Sequence, residues 1–477
     1  MIRLLLLLIC FVSVANAKRP PAVSLSKPNF LFIIADDLRA ELGCLGDRHI
    51  ISPNLDRLAS RGRLFERAYC QQAVCNPSRA SFMTGLRPDT IGVWDLKTHF
   101  RKKFPDHPTL PQLFKQHGYE TICIGKSFHN TGSLGDPASW SRPAIFNEGP
   151  HWADTVANKL TQKPSRKNAP VTEKIAHSDE AYWDGEIATK AIEVLGEKHD
   201  QPFFLTVGFW RPHLPFVAPV KYWELYDPRD ITLPASWTAP ANCPEIALHD
   251  FREIRGYAKM PKRFPLTVEF TRHLRHGYFA SITYLDAQVG RLLKALDRHG
   301  LRENTIVVFI SDHGFHLGEH GLWCKTSCFE YDARVPVIIS APGMRQAGRS
   351  SDSIVELIDI YPTLADLAGL PIPEILEGKS LTPILNEPNA DVKQAAYTQH
   401  PRPAYYRGQP EVMGVSVATK EFRYTEWREF KTGKTRAVEY YDHTKDFRES
   451  RNESVKAKKS IGPTLLNEQF EPGPWSE

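Results

Sequence analysis

The stretch PNFLFIIADD, residues 28–37, constrains the fold more than any other. An unbroken apolar run from Phe30 to Ala35 stops on two adjacent carboxylates, Asp36 and Asp37. A run without polar alternation predicts a strand covered on both faces, the habit of parallel strands in α/β sheets. The plan recurs in NTIVVFISDHG, which runs from Thr305 to Ile310 into Ser311, Asp312 and His313. PFFLTVGFWRPH ends near His213, YETICIGKSFH ends on Lys126 and His129, and RVPVIISAPG adds a shorter strand. Helical spacing lies between these runs. SPNLDRLASRG puts Leu55, Leu58 and Ala59 on one face and closes at Gly62. Longer helical patterns follow in DEAYWDGEIATKAIEVLGE, in RHLRHGYFASITYLDAQVGRLLKALDRHG and in VELIDIYPTLADLAGL, where Pro362 predicts a kink. Alternating strands and helices predict an α/β fold, a mainly parallel sheet sandwiched by helices. Ligands of such sheets sit at the carboxyl ends of the strands, and all the polar clusters just named fall there.

Two aperiodic stretches, 130–178 and 228–268, read as surface insertions. Past residue 371 the texture changes. AAYTQH, GVSVATKEFRYTEWREF and RAVEYYDHTKD look like short strands, predicting a smaller α+β C-terminal subdomain with an antiparallel sheet over 371–477. The catalytic unit is then 29–370. At the other end, Arg3 precedes LLLLLICFVSV and ANA closes at Ala17. A charged start, a short apolar run and an A-x-A end predict a secretory signal peptide over 1–17, with 18–28 as a linker. The run is too short for a membrane span, which needs ~20 residues, so no membrane anchor is expected. The expected setting is periplasmic, secreted or lysosomal. Loss of Cys10 with the signal leaves seven cysteines, an odd number. A formal charge of +5 over 477 residues, without a long Lys/Arg run, argues against nucleic acid as a partner.

Adjacent strand residues face opposite ways, so Asp36 and Asp37 act together only if a bend or a metal gathers them. An Asp pair is ordinarily a turn or a cap, but Asp312 and His313 end a second strand in the same manner. Three carboxylates without a counter-charge repel one another. A divalent cation relieves this, and oxygen-rich donors favour calcium or magnesium over zinc. Arg79, Lys126, His129, His213 and Lys325 each lie near a strand end or helix start. Together with a metal they outline a pocket for a tetrahedral oxyanion. A helix starting near Ser78 would add N–H groups and depress the pKa of a neighbouring thiol, leaving Cys75 as a thiolate nucleophile.

The segment CNPSRASFMTG, residues 75–85, resembles the sulfatase signature C-x-P-S-R followed by T-G. The likeness extends to the iduronate-2-sulfatase group over nearly the whole mature chain: PNFLFIIADDLR, GKSFH, WRPHLPF, SDHGFHLGEHGLWCKTSCFE and EYYDHTKDFRESRN all resemble segments of that group. The resemblance implies that Cys75 is oxidised to formylglycine by a formylglycine-generating enzyme before folding. It implies that Asp36, Asp37, Asp312 and His313 bind calcium together with an oxygen of modified Cys75. Arg79 then steadies the formylglycine, Lys126 and Lys325 hold sulfate oxygens, His129 assists turnover of the aldehyde hydrate, and His213 serves the leaving oxygen. The implied substrate is a sulfated carbohydrate, with 2-O-sulfated uronic acid residues favoured. Three rivals stand beside this reading: a phosphodiesterase or phosphonate hydrolase of the same superfamily, a thiol enzyme, and a non-catalytic glycan-binding protein.

Overall fold

The computed structural model describes residues 27–129, 134–146, 151–153, 169–262, 264–457, 460–470, 473 and 475. The expected signal peptide, most of the linker and part of the 130–178 stretch lie outside them.

Seven strands form one sheet: β1 (Asn29–Asp36), β2 (Arg63–Tyr69), β3 (Glu120–Gly125), β4 (Phe203–Pro212), β5 (Thr305–Ser311), β6 (Arg334–Ser340) and β7 (Ser350–Glu356), in the order β7-β2-β6-β5-β1-β4-β3. β6 runs antiparallel to both neighbours and the other pairings are parallel. The apolar run of β1 is continuous because both its faces are covered. Leu31, Ile33 and Ala35 enter one core, with α4 (Trp183–Leu195), α5 (Val268–Arg298) and α1 (Pro53–Ser60). Phe30, Phe32 and Ile34 enter the other, with α2 (Cys75–Thr84), α3 (Leu110–Gln116) and α6 (Ile360–Leu367).

Four strands then form an antiparallel sheet: β8 (Ala396–Arg402), β9 (Val412–Ala418), β10 (Phe422–Glu429) and β11 (Thr435–Asp442). It docks beside the segment leading to Cys75, where Gln399 N donates to Gln71 O at 2.8 Å and Thr398 Oγ1 to Cys70 O at 2.7 Å.

Three local expectations change. The helix expected near Ser78 begins at Cys75, with Pro77 in its first turn, where a missing N–H costs nothing. Pro362 likewise falls in the first turn of α6 and kinks nothing; a 3-10 turn, Leu357–Asp359, precedes that helix, and Glu356 belongs to β7. The aperiodic stretches are not simply surface. Trp140, Trp152 and Val171 of one, and Ile231, Phe251 and Ile254 of the other, are buried.

Candidate active site

The order β5-β1-β4-β3 places four carboxyl ends side by side. They carry, in turn, Asp312 and His313, Asp36 and Asp37, His213, and Lys126. The two adjacent aspartates are gathered by backbone geometry. Pairing of β1 with β4 slips between Ile34 and Asp36, and Asp37 takes φ 66°, the left-handed region that Asp tolerates better than most residues. Both side chains are fully buried.

Cys75 opens α2, a helix buried along its whole length. Its Sγ lies 3.4 Å from Asp36 Oδ1 and 3.4 Å from His313 Nε2, and His313 Nε2 is 3.4 Å from Asp37 Oδ1. Asp36, Asp37, Cys75 and His313 thus converge, one donor atom from each within 4.8 Å of the others. The fifth expected ligand, Asp312, stands outside that group. Its Oδ2 accepts from Arg79 Nε at 2.8 Å, and its Oδ1 from the backbone N–H of Asp37 at 3.2 Å and of His313 at 2.9 Å.

The repulsion expected of three clustered carboxylates is relieved by side chains. Asp36 pairs with Lys126, Asp37 with Lys325 at 2.9 Å, and Asp312 with Arg79. Burial opposes ionisation of Asp36, but Lys126, His213, Arg79 and Lys325 outweigh it and hold the carboxyl well below its usual range. At Asp37 burial prevails, and the carboxyl sits above its usual range despite Lys325, His213 and His313. Cys75 departs from the thiolate expectation. Burial, and then the Asp36 carboxylate, push its thiol well above the ordinary range against Lys126 and Lys325. It is neutral, and a poor nucleophile as a thiol. All seven cysteines of the described chain are free.

Lys325 is held in a strained turn. Cys324 and Thr326 on either side have φ 71° and 90°, and a β-branched residue in that region marks strain of the kind kept at functional sites. Arg79 is fully buried and also donates to Lys126 O and Ser127 O, tying α2 to the end of β3. The His213 loop is fixed by Asp184, which accepts from Trp210 N at 2.9 Å and Arg211 N at 2.8 Å. His213 Nδ1 donates to Leu214 O, which leaves Nε2 facing the site. His129 is pushed down to about 2 by burial and by Lys126, and its Nδ1 has no hydrogen-bond partner among the described residues.

These groups share a cavity of about 340 Å³, lined by Cys75, Lys126, His129, His213 and Lys325 and also by Leu96, His151, Trp210, Arg252, Glu253 and Tyr405. Strand-end reasoning missed the second set. Trp210 stacks over Lys126, 4.5 Å from the ammonium. Glu253 comes from the stretch expected to be a surface insertion. Its Oε1 is 3.1 Å from His213 Nε2 and its Oε2 2.7 Å from Lys325 Nζ. Burial opposes its ionisation, but Lys325 and His213 hold it well below the carboxylate range.

A family profile described as Sulfatase matches residues 28–370, and one described as N-sulphoglucosamine sulphohydrolase, C-terminal, matches residues 318–469. Iduronate 2-sulfatase of Mus musculus is 36% identical over 465 residues, 84% of each chain. Iduronate 2-sulfatase of Homo sapiens is 36% identical over 467 residues, again 84% of each. A structure solved in complex with its substrate, D-glucosamine-2-N,6-O-disulfate, superposes with a TM-score of 0.75 at 25% identity, covering 94% of this chain and 98% of that one. No described helix is long and apolar enough to cross a membrane. With a matching family profile over most of its length, this chain belongs to the sulfatase family and is a sulfuric ester hydrolase.

Proposed function

We propose that the protein is a calcium- and formylglycine-dependent sulfatase acting on a sulfated carbohydrate, with 2-O-sulfated uronic acid residues of a polysaccharide or glycosaminoglycan as its substrate class. One observation carries the cofactor reading. The Cys75 side chain stands 3.4 Å from both Asp36 Oδ1 and His313 Nε2, so an oxygen at this position joins the group of potential metal donors. The substrate class is supported by the 36% identity to two iduronate 2-sulfatases.

The residues present suit a cation. Lys126 and Lys325, which neutralise Asp36 and Asp37, are the groups suited to holding sulfate oxygens. Each ammonium can touch a carboxylate and a sulfate together, but its single charge balances only one of them, so the two buried carboxylates need another positive charge whenever sulfate is held. Asp36, Asp37, His313 and the residue-75 oxygen, with Asp312 beside that group, would hold calcium, which would supply positive charge to acidify that oxygen and to offset the sulfate. Formylglycine at 75, as its hydrate, supplies a nucleophilic hydroxyl that regenerates without leaving a stable sulfate ester on the enzyme.

The chain's own groups do the rest. Arg79 fixes the first turn of α2, and with it residue 75, against Asp312. Lys126 and Lys325 draw charge from the sulfate oxygens as the S–O bond lengthens. With Nδ1–H on Leu214 O, His213 would act as the acid when Nε2 carries the second proton, which it would give to the leaving oxygen. His129 is kept neutral by burial and Lys126 and is a weak base while so held; an arriving sulfate would offset the Lys126 charge and raise its basicity for turnover of the hydrate. Residues 1–17 act as a signal peptide for export, and a formylglycine-generating enzyme is the maturation partner. Mass spectrometry of the peptide containing residue 75 tests the reading. Formylglycine is expected in active protein, and a fully active preparation carrying unmodified cysteine would sink it. Cys75→Ser is expected to fail in multiple turnover.

A further inference from the structure

Among the described residues, Glu253 is the carboxylate of the cavity lining that stands apart from the strand-end cluster. It rises from a four-residue helical turn, Arg252–Arg255, preceded by Phe251 at φ 38°. The turn is anchored. Phe251 packs on Phe264 with ring centroids 4.4 Å apart, and Arg255 stacks over the Phe251 ring at 4.5 Å. The Glu253 side chain is 13% exposed. Asp37, His213 and Glu253 also bring donor atoms together, but Lys325 Nζ reaches both acids, at 2.9 Å and 2.7 Å, and is the cation there.

Its position relative to the reaction is informative. One oxygen lies a hydrogen-bond length from the nitrogen assigned to the leaving oxygen, and the other a hydrogen-bond length from an ammonium assigned to sulfate. A group that touches the two residues assigned to the partners of the breaking S–O bond sits beside the place of the substituents on the neighbouring sugar carbons. An ionised carboxylate offers acceptors only. It suits a hydroxyl or N–H donor and opposes a second anion.

We propose that Glu253 is a specificity-determining residue: its carboxylate receives a hydrogen-bond donor on the carbon next to the sulfate ester and rejects a sulfate or carboxylate at that place. The proposal rests on the sulfatase reading above and names what the substrate carries beside the ester. A neighbouring hydroxyl then gains a charge-assisted bond. Its removal leaves a buried carboxylate less well satisfied, worth about 10–100-fold. A neighbouring anion meets a like charge at close range in a poorly hydrated cavity, a penalty of at least ~100-fold.

The test compares kcat/KM of the mature enzyme and of Glu253→Gln on three synthetic methyl uronoside 2-sulfates: one with a free 3-hydroxyl, one 3-deoxy, one 3-sulfated. Nitrophenyl sulfate, which has no neighbouring substituent, is the reference. The native enzyme is expected to prefer the hydroxyl compound by about 10–100-fold over the deoxy one and by at least ~100-fold over the disulfate. Glu253→Gln should collapse the second ratio roughly tenfold or more, over and above whatever common factor it takes from all four compounds through His213 and Lys325. Glu253→Asp, which keeps the charge, should still reject the disulfate; it serves if the amide variant fails to fold. An equal slowing of all four compounds would show that Glu253 merely positions Lys325 and His213, and would overturn the proposal, as would unchanged ratios. Hydrolysis of nitrophenyl sulfate with none of the sugars would instead overturn the carbohydrate reading. The same ratio is then read on aryl sulfates with and without an ortho hydroxyl.

Discussion

Replacing Arg402 by methionine tests how far the C-terminal subdomain holds the active site together. Arg402 ends β8 and is buried. Its guanidinium donates to Ile246 O and Ala247 O, each at 2.8 Å, and to Thr326 O at 2.9 Å, and it stacks over Trp427 at 4.6 Å. The first two carbonyls lead into the turn that carries Glu253, and the third follows Lys325. One side chain from the antiparallel sheet thus ties together two walls of the cavity. Burial pulls the guanidinium below its ordinary range, down to about 10, so it is charged at neutral pH.

Two effects of the substitution oppose each other. Methionine keeps most of the stem and its contact with Trp427, but the three carbonyls outside its own strand lose their donor, at about 1–2 kcal/mol each, or about 3–6 kcal/mol. Removing a charge disfavoured by burial returns roughly 3 kcal/mol, from the fall in pKa at 1.36 kcal/mol per pH unit. The net loss of stability is about 0–3 kcal/mol. The geometric loss has no such offset. Without their common anchor Lys325 and Glu253 shift, and displacement by ~1 Å at a reacting centre costs about 10²-fold. The expected result is a modest fall in the urea midpoint with kcat/KM on nitrophenyl sulfate down about 100-fold, and Arg402→Lys in between. A folded methionine variant retaining activity within about threefold of native would refute the clamp. A stability loss beyond about 5 kcal/mol would refute the offset.

Glu356 accepts from Arg87 at 2.9 and 2.8 Å and from Lys393 at 2.8 Å, and although burial opposes it these cations hold its carboxyl down to about 2. Its stabilisation is present above the ordinary carboxylate value near 4.5 and is lost as pH falls from there towards about 2. Urea titrations across that window should show roughly 3 kcal/mol of pH-dependent stability that Glu356→Gln flattens; an unchanged slope in the variant would remove the assignment. Asp37→Asn should lower the calcium retained after gel filtration, measured by elemental analysis, and native-like metal content would exclude Asp37 as a ligand.

The catalytic strand ends were legible in the sequence because two simple regularities coincide. Doubly covered strands read as unbroken apolar runs, and neighbouring parallel strands end on the same edge. Phe30–Ala35 and Thr305–Ile310 gave away β1 and β5, and their register, Ala35 opposite Ser311, sets Asp36 beside Asp312. Glu253 was not legible for the converse reason. It comes from a short turn inside an aperiodic stretch, and its place in the cavity depends on Phe251 in a left-handed conformation and on Arg402 from another sheet. Trp210 was hidden in plain sight: it lies in a recognised strand, but a strand pattern does not say that an indole will cover Lys126.

The charge balance marks the boundary more sharply. Composition and spacing supplied three carboxylates and three cations near one another, and repulsion among the acids alone made a divalent ion appear obligatory. Pairing decides otherwise, and pairing is set by backbone torsions no periodicity encodes. Asp37 reaches Lys325 because its own φ is 66° and because Cys324 and Thr326 turn the lysine inward at 71° and 90°. The case for a metal therefore rests on competition. A lysine has one ammonium. It can touch two anions but balances only one: with the charge of Lys126 and Lys325 already matched by Asp36 and Asp37, an added sulfate leaves a buried site with excess negative charge. The proposed calcium and sulfate should then be linked, each favouring the other's binding by the same factor in either direction. Sulfate affinity measured at rising calcium should therefore tighten until the metal site saturates, and calcium affinity should tighten by an equal factor in saturating sulfate. Independent affinities would mean that the lysines serve both partners at once, and that the competition on which the metal is argued does not exist.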